Sequence, residues 1–331
     1  MFTEGGGDSP PLFLHYGDGN MSTVGKVKKR SSHNQFSRAI KFILPQIIIF
    51  SLFNLIPDIA GVYAAFTKWD LGKAPVFTGL ENLKLILLDQ SSVYYWNFWW
   101  GLKATLIFVI LTVPFRIVIP MLLALALNKR FIGRGFCQTV FYLPALLSLS
   151  VVMICWNYMF NANYGIVNTY LKLGMLSWAT KYPYNWIALI IITVWWGTGM
   201  NMIILQSAIA GVPLDLIDAA KMDGANSVQR FFHVTLPSIR FPLSYVITTS
   251  LIAEFNVWGQ PYMFNNGGPV VEMKNGFAHK SNLMLMQEIR NIGFNGALGG
   301  NPGVASAMAL VLGLIMVTVS VIQVRMMQKE G

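Results

Sequence analysis

The sequence predicts an all-α fold, a polytopic transmembrane helical bundle. Of 331 residues, 54% are apolar and 11% charged, against about 25% charged in a soluble domain. Six apolar stretches each reach the roughly 20 residues a helix needs to cross hydrocarbon, where irregular backbone finds no hydrogen-bond partners. The lysines and arginines sort unevenly between the two sides of those stretches, as orientation signals do.

In chain order, residues 1–20 are rich in Gly, Pro and Asp and lack the basic and apolar regions of a signal peptide. Met21 stands as a second plausible start. Residues 1–38 are expected to be a disordered cytoplasmic segment, and 39–331 the membrane domain. The spans are expected at Phe42–Phe66, Ala104–Leu127, Phe136–Met159, Ile187–Ile209, Pro242–Phe264 and Val304–Val324.

Placing the N-terminus in the cytoplasm puts the larger basic set inside: Lys26, Lys28, Lys29, Arg30, Arg38 and Lys41, then Lys129, Arg130 and Arg134, then Lys221, Arg230 and Arg240, then Arg325 and Lys329. Lys68, Lys73, Lys84, Lys103, Lys172, Lys181, Lys274, Lys280 and Arg290 fall outside. Trp69, Trp96, Trp99, Trp100 and Trp186 gather near the proposed outer ends, as interfacial aromatics do. Both termini are therefore expected in the cytoplasm.

The net charge of +10 is scattered between apolar blocks and forms no continuous patch, so nucleic acid is not an expected partner. Cys137 and Cys155, read on one helix, would lie roughly 27 Å apart, too far to bridge. The four histidines are dispersed, so metal chemistry has no support. No G-x-x-x-x-G-K-[ST] phosphate loop is present, so the chain is not expected to hydrolyse ATP or to be an enzyme by itself.

The loop between spans four and five, 211–240, carries the most specific signal. Pro213 suits the first turn of a short helix, and Asp215 and Asp218 suit its N-terminal half. Ala219 and Ala220 keep one face small enough for close approach by a partner. Gly224 can turn the chain through a positive φ. A second amphipathic piece through Phe231, Phe232 and Val234 leads to Pro237, a break before the next span. By composition this is a surface loop. Its spacing says more: Asp218-Ala-Ala, then Gly224, then Leu236-Pro237 resembles the EAA loop of ABC-importer permeases, with Asp218 where that family usually has Glu and Val234 where Ile is common.

Further blocks resemble the carbohydrate branch of those permeases, maltose-type and glycerol-phosphate-type, from about Phe42 to Lys329. They include Phe66-Thr-Lys-Trp69, Gly79-Leu-Glu-Asn82, Leu127-Asn-Lys-Arg130, Gly133-Arg-Gly-Phe136, Phe141-Tyr-Leu-Pro144, Phe160-Asn-Ala-Asn-Tyr-Gly165, Asp223-Gly-Ala225 and Gly267-Gly-Pro269. The resemblance implies the six-span type I importer permease fold in a bacterial inner membrane. It also implies a second homologous permease, two copies of a cytoplasmic ATPase that hold ATP and magnesium, an extracytoplasmic solute-binding protein and a sugar substrate. This chain itself would bind no cofactor. Asp218, Ala219, Ala220, Gly224, Leu236 and Pro237 would couple it to the ATPase.

Ionisable residues inside a bilayer face a cavity or a partner. Arg116 is expected either to pair with Asp58 or Glu254 and fix helix packing, or to face the pathway and attract a uronate-containing sugar. Sugar recognition needs aromatic faces, amides and hydroxyls. Asn256, Trp258, Gln260 and Tyr262 supply these in span five, with Trp258 and Tyr262 on one face at i/i+4 spacing. Asn157, with Trp156, and Asn201 rank second. Polar residues in membrane helices also serve as interhelical links. An importer of a non-sugar solute is the alternative within transporters. A self-contained secondary transporter commonly shows internal repeats, and a membrane enzyme needs convergent catalytic groups; neither pattern is visible.

Overall fold

A computed structural model describes residues 32–70, 72–274, 277–294 and 300–329. The chain divides into two compact units, Met1–Pro57 and Asp58–Gly331. Most of the segment expected to be disordered, residues 1–31, lies outside the described residues. In the first unit, α1 (Ser32–Phe50) runs into a π turn at Ser51–Leu55. α2 (Ile56–Ala64) follows, and Phe42–Ala64 as a whole is long and apolar enough to cross a membrane.

In the second unit, the two-residue strands β1 (Thr67–Lys68) and β2 (Val76–Phe77) pair antiparallel, and α3 (Glu81–Leu87) leads to α4 (Val93–Asn128). Ser92 caps α4 by accepting from the Tyr94 N–H at 3.2 Å. The helix continues through Pro114 and Pro120 and begins well before the expected Ala104, so Trp96, Trp99 and Trp100 sit within it. It is apolar all round, as a helix with protein on one side and lipid on the other must be.

α5 (Arg134–Leu146) and α6 (Leu149–Met159) replace the expected straight third span with a pair bent by 102°. Leu147 and Ser148 are extended, and the Ser148 hydroxyl accepts from the Val151 N–H to start α6. The bend also puts Cys137 and Cys155 on different helices, so the single-helix separation does not apply; both are free thiols.

α7 (Ile166–Leu171) precedes α8 (Tyr184–Ala210), which packs along α4. The loop region holds α9 (Leu214–Met222), α10 (Ser227–Arg230), a π turn at Phe231–Thr235 and α11 (Leu236–Ser238). The expected fifth span is interrupted: α12 (Arg240–Phe255) ends, Asn256–Trp258 leave helical geometry, and α13 (Gly259–Asn265) restarts. Pro261 accounts for the break, because it has no N–H to bond the carbonyl four residues earlier. The antiparallel strands β3 (Val270–Lys274) and β4 (Phe277–Lys280), α14 (Leu285–Phe294) and α15 (Pro302–Lys329) complete the chain.

Among the described residues, four helices are long and apolar enough to cross a membrane, or five where the bent pair α5–α6 counts as one span. The protein is a multi-pass membrane protein. The stretch 242–264 is the one expected span that does not meet that measure, since α12 alone rises about 24 Å.

α4 is the central element, and three apolar clusters are strung along it. Near its start, Phe98 and Leu102 pack with Leu285, Ile289 and Met308. Ala104 and Phe108 pack with Val152, Met153, Leu189 and Ile192. At its end, Met121, Ala124 and Leu127 meet Met202, Leu205, Ile209, Ile239 and Val246. The β3–β4 hairpin therefore sits at one end of the bundle, where Trp100 donates to the Lys280 carbonyl at 2.8 Å. The 211–240 region sits at the other.

Candidate functional site

The 211–240 region is a knob with an exposed tip and an anchored base. Pro213 immediately precedes α9 as its cap, one step earlier than the first-turn position expected, and Asp215 occupies the first turn, where the helix dipole favours an anion. Asp218 and Lys221 pair at 2.7 Å on the exposed surface, a contact worth little in stability. α9 closes with the Asp223 N–H on the Ala219 carbonyl and the Ala225 N–H on the Ala220 carbonyl. Gly224 carries a φ of +78°, the left-handed conformation that only glycine takes without strain. Asn226 and Gln229 then cap α10 reciprocally at 2.9 and 2.8 Å.

The Arg230 guanidinium ties α10 to the turn that follows α9, donating to the Ala225 carbonyl at 2.5 Å and to Ser227 Oγ at 3.1 Å. Asp218 and Ala219 are exposed, as is Pro237; Ala220 and Leu236 are half-buried. Leu214 and Met222 are 73% and 88% exposed, an apolar tip that water alone does not explain. Ile217, Phe231 and Leu236 turn inward against the Met121–Leu205–Ile239 cluster. The EAA-like spacing points to Leu236 and the amphipathic pattern to Phe231, whereas Ile217 and Arg230 show their roles only once the loop is folded.

Higher in the bundle, Arg116 of α4 meets Glu254 of α12. The Arg116 Nη1 donates to Glu254 Oε1, with the two side chains 15% and 1% exposed. Of the two expected partners the structure selects Glu254, and Asp58 on α2 is exposed. Gly197 of α8 makes room, since a β-carbon there would stand 2.5 Å from an Arg116 terminal nitrogen. Asn201 of α8 donates to the Arg116 carbonyl at 2.9 Å and to Ser250 Oγ at 3.1 Å. Arg116, Glu254 and Asn201 thus form one polar clamp joining α4, α8 and α12. Arg116 Nε and Glu254 Oε2 are buried without a partner among the described residues.

On α13 the expected aromatic pair exists despite the broken helix: the Trp258 and Tyr262 rings lie 6.1 Å apart. Arg290 of α14 places its guanidinium 5.0 Å from the Trp258 centroid and 5.1 Å from that of Tyr262. Sequence reasoning saw Arg290 only as an outer charge. Asn256 turns back on its own helix, donating to the Ile252 carbonyl at 2.9 Å and contacting Met316 Sδ. Gln260 is half-buried on α13. Asn157 of α6 donates to the Met263 carbonyl at 3.4 Å.

Outside the spans, burial pushes the Glu288 carboxyl of α14 above its ordinary range, a shift opposed by the Asn291 hydrogen bond and by Lys280. Hydrogen bonds from Ser91 hold Asp89 below its ordinary range. Among the described residues, no group of three or more His, Cys, Asp or Glu is placed to hold a metal.

A mostly helical membrane bundle with a knob of this spacing defines a transport permease subunit. Residues 102–329 match the family described as binding-protein-dependent transport system inner membrane component, and the chain belongs to that family. The chain is 29% identical, over 87% of its length and 93% of the relative's, to the probable starch degradation products transport system permease protein of Thermoanaerobacterium thermosulfurigenes. It is 30% identical, over 77% of its length and 82% of the relative's, to the arabinooligosaccharides transport system permease protein of Halalkalibacterium halodurans. Its fold is similar to a chain in the crystal structure of a bacterial ABC transporter involved in the import of the acidic polysaccharide alginate. There the TM-score is 0.72 at 20% identity, covering 90% of this chain and 97% of the other.

Proposed function

We propose that this chain is one of two related permease subunits of an ATP-driven importer of sugars or oligosaccharides. It crosses the inner membrane six times, with both termini in the cytoplasm and α12–α13 as the fifth crossing. A binding protein delivers the solute at the hairpin end, and two copies of an ATPase, holding ATP and magnesium, grip the knob. The observation that carries this is the knob itself: exposed Asp218, Ala219, Leu214 and Met222 at the tip, and Ile217, Phe231 and Leu236 at the base, seated on the helices that flank the bundle's interior. Closure of the ATPase pair pushes α9, and the push reaches α4, α8 and α12 through those anchors.

Relatives named for starch degradation products and arabinooligosaccharides support sugar as the cargo over a non-sugar solute. Trp258 and Tyr262, with Gln260, are the leading pathway residues, because their rings offer the flat apolar faces that sugar C–H groups stack on. Asn201 and Asn256, whose amides are taken by neighbouring helices or their own backbone, act as links. Arg116 is already met by Glu254, which supports a packing role over attraction of an acidic sugar.

The test is reconstitution of the four-part complex with residues 214–222 deleted from this chain. Transport and complex-stimulated ATP hydrolysis should vanish while membrane insertion persists; full activity would refute the coupling role.

A further inference from the structure

A polar cavity of about 290 Å³ lies at the end of α6, apart from both the knob and the clamp. Asn157, Tyr158 and residues 160–164 form one wall, and Ser177 and Ala179 the other. Both walls are tied to α13: Asn157 donates to the Met263 carbonyl at 3.4 Å, and Asn265 donates to the Ala179 carbonyl at 2.9 Å. The cavity is therefore tied to the same short helix that Trp258 caps and that carries Tyr262.

Its lining has the chemistry of a saccharide site. The Tyr158 and Tyr164 rings stand 6.2 Å apart at 40° to each other, and both residues are 62% exposed. Asn161 Oδ1 accepts from the Asn163 N–H at 2.9 Å, which fixes the turn and presents the Asn163 side-chain amide. Among the described residues, no hydrogen bond engages the two phenols or that amide. Ring faces suit the C–H surface of a pyranose, and amide and phenol groups, each both donor and acceptor, suit its hydroxyls. Among the described residues, no charged side chain lines the cavity, so none of them compensates a carboxylate or phosphate. The volume is at the small end for ligand sites, the size of a single ring rather than a chain.

We infer that this cavity is a subsite for one neutral pyranose unit, second to the Trp258–Tyr262 pair, so that an oligosaccharide is held at two points along α13. This rests on sugar import being the function. A monosaccharide reaches one point only; a longer chain reaches both.

The test uses the complete importer in proteoliposomes and a probe series of glucose, maltose, maltotriose and maltotetraose, with xylotriose, also built of neutral pyranose rings, as a second backbone. The variants are Asn163→Ala and the double variant Tyr158→Ala/Tyr164→Ala. KM for the trisaccharides and tetrasaccharide should rise roughly fivefold or more, the loss of one ring contact, while values for glucose and the stimulation of ATP hydrolysis by loaded binding protein stay unchanged. Equal effects at every chain length, or none at any, overturn the subsite. Loss of binding-protein stimulation together with uptake also overturns it, and makes the cavity a docking point for that protein. Failure of the unaltered importer to accept any probe overturns sugar import itself, a result visible before any variant is compared.

Discussion

Gly197 of α8 stands against the guanidinium of Arg116 of α4, so close that a β-carbon would lie 2.5 Å from its terminal nitrogen. The absence of a side chain at 197 is therefore what lets Arg116 lie flat between α4 and α8 and reach Glu254 on α12. Gly197→Ala should displace the guanidinium, loosen the ion pair and lower the melting temperature of the purified complex. Gly61, whose β-carbon would meet open space, is the control: Gly61→Ala should leave the melting temperature within error.

The pair itself should behave as structure. Arg116→Gln or Glu254→Gln each leaves one buried charge unmatched, a loss of about 3–5 kcal/mol when one partner of a buried pair is removed. The double variant Arg116→Gln/Glu254→Gln should recover much of that stability. Uptake of neutral and uronic oligosaccharides should fall together in Arg116→Gln. A selective loss of the uronic series would return Arg116 to the pathway.

Gly224 should resist replacement by any residue with a side chain. Its φ of +78° makes Gly224→Ala strained by about 1–2 kcal/mol. That strain falls on the turn holding α9 against α10, so ATP hydrolysis coupled to transport should drop while the melting temperature of the membrane domain barely moves. Measuring ATP turnover per solute transported separates the two.

The aromatic pair makes a different demand. Trp258→Ala or Tyr262→Ala should raise the KM for uptake without changing ATP hydrolysis in the absence of solute. Arg290→Lys keeps the charge but loses the planar group stacked over both rings, so its effect should fall between wild type and Trp258→Ala.

Glu288 gives a pH signature. Burial raises its folded pKa above the ordinary carboxylate value of about 4.3. The folded state then binds the proton more tightly than the unfolded state. Its contribution is most favourable below the ordinary value and is lost as pH rises through the raised one. Glu288→Gln should flatten the melting temperature between pH 5 and 7.5 relative to wild type. Parallel profiles for the two proteins would remove Glu288 as the source.

The long helices were legible because apolar length alone marks them: Phe42–Ala64, Tyr184–Ala210 and Pro302–Met327 fall within a few residues of expectation. The knob was legible because Asp218, Gly224 and Leu236-Pro237 carry local backbone demands. The 102° bend was not, since Leu147 and Ser148 look like any two residues of a continuous apolar run, and a serine cap is informative only once the helix it starts is known. The break after Phe255 was written in Pro261 but masked by the apolar residues around it. Arg290 was invisible for a third reason: its partners are far away in sequence, and no local pattern reports a contact between helices.

The interruption at Asn256–Trp258 bears on where water goes. A helix that stops after Phe255 and restarts at Gly259 interrupts the regular ladder: the Asn256 N–H still bonds the Ile252 carbonyl, but the Val257 N–H turns to the Glu254 carbonyl, three residues back instead of four. Lipid tails offer main-chain groups no partner. As part of the proposed fifth crossing, that stretch has to face protein or a hydrated interior rather than lipid.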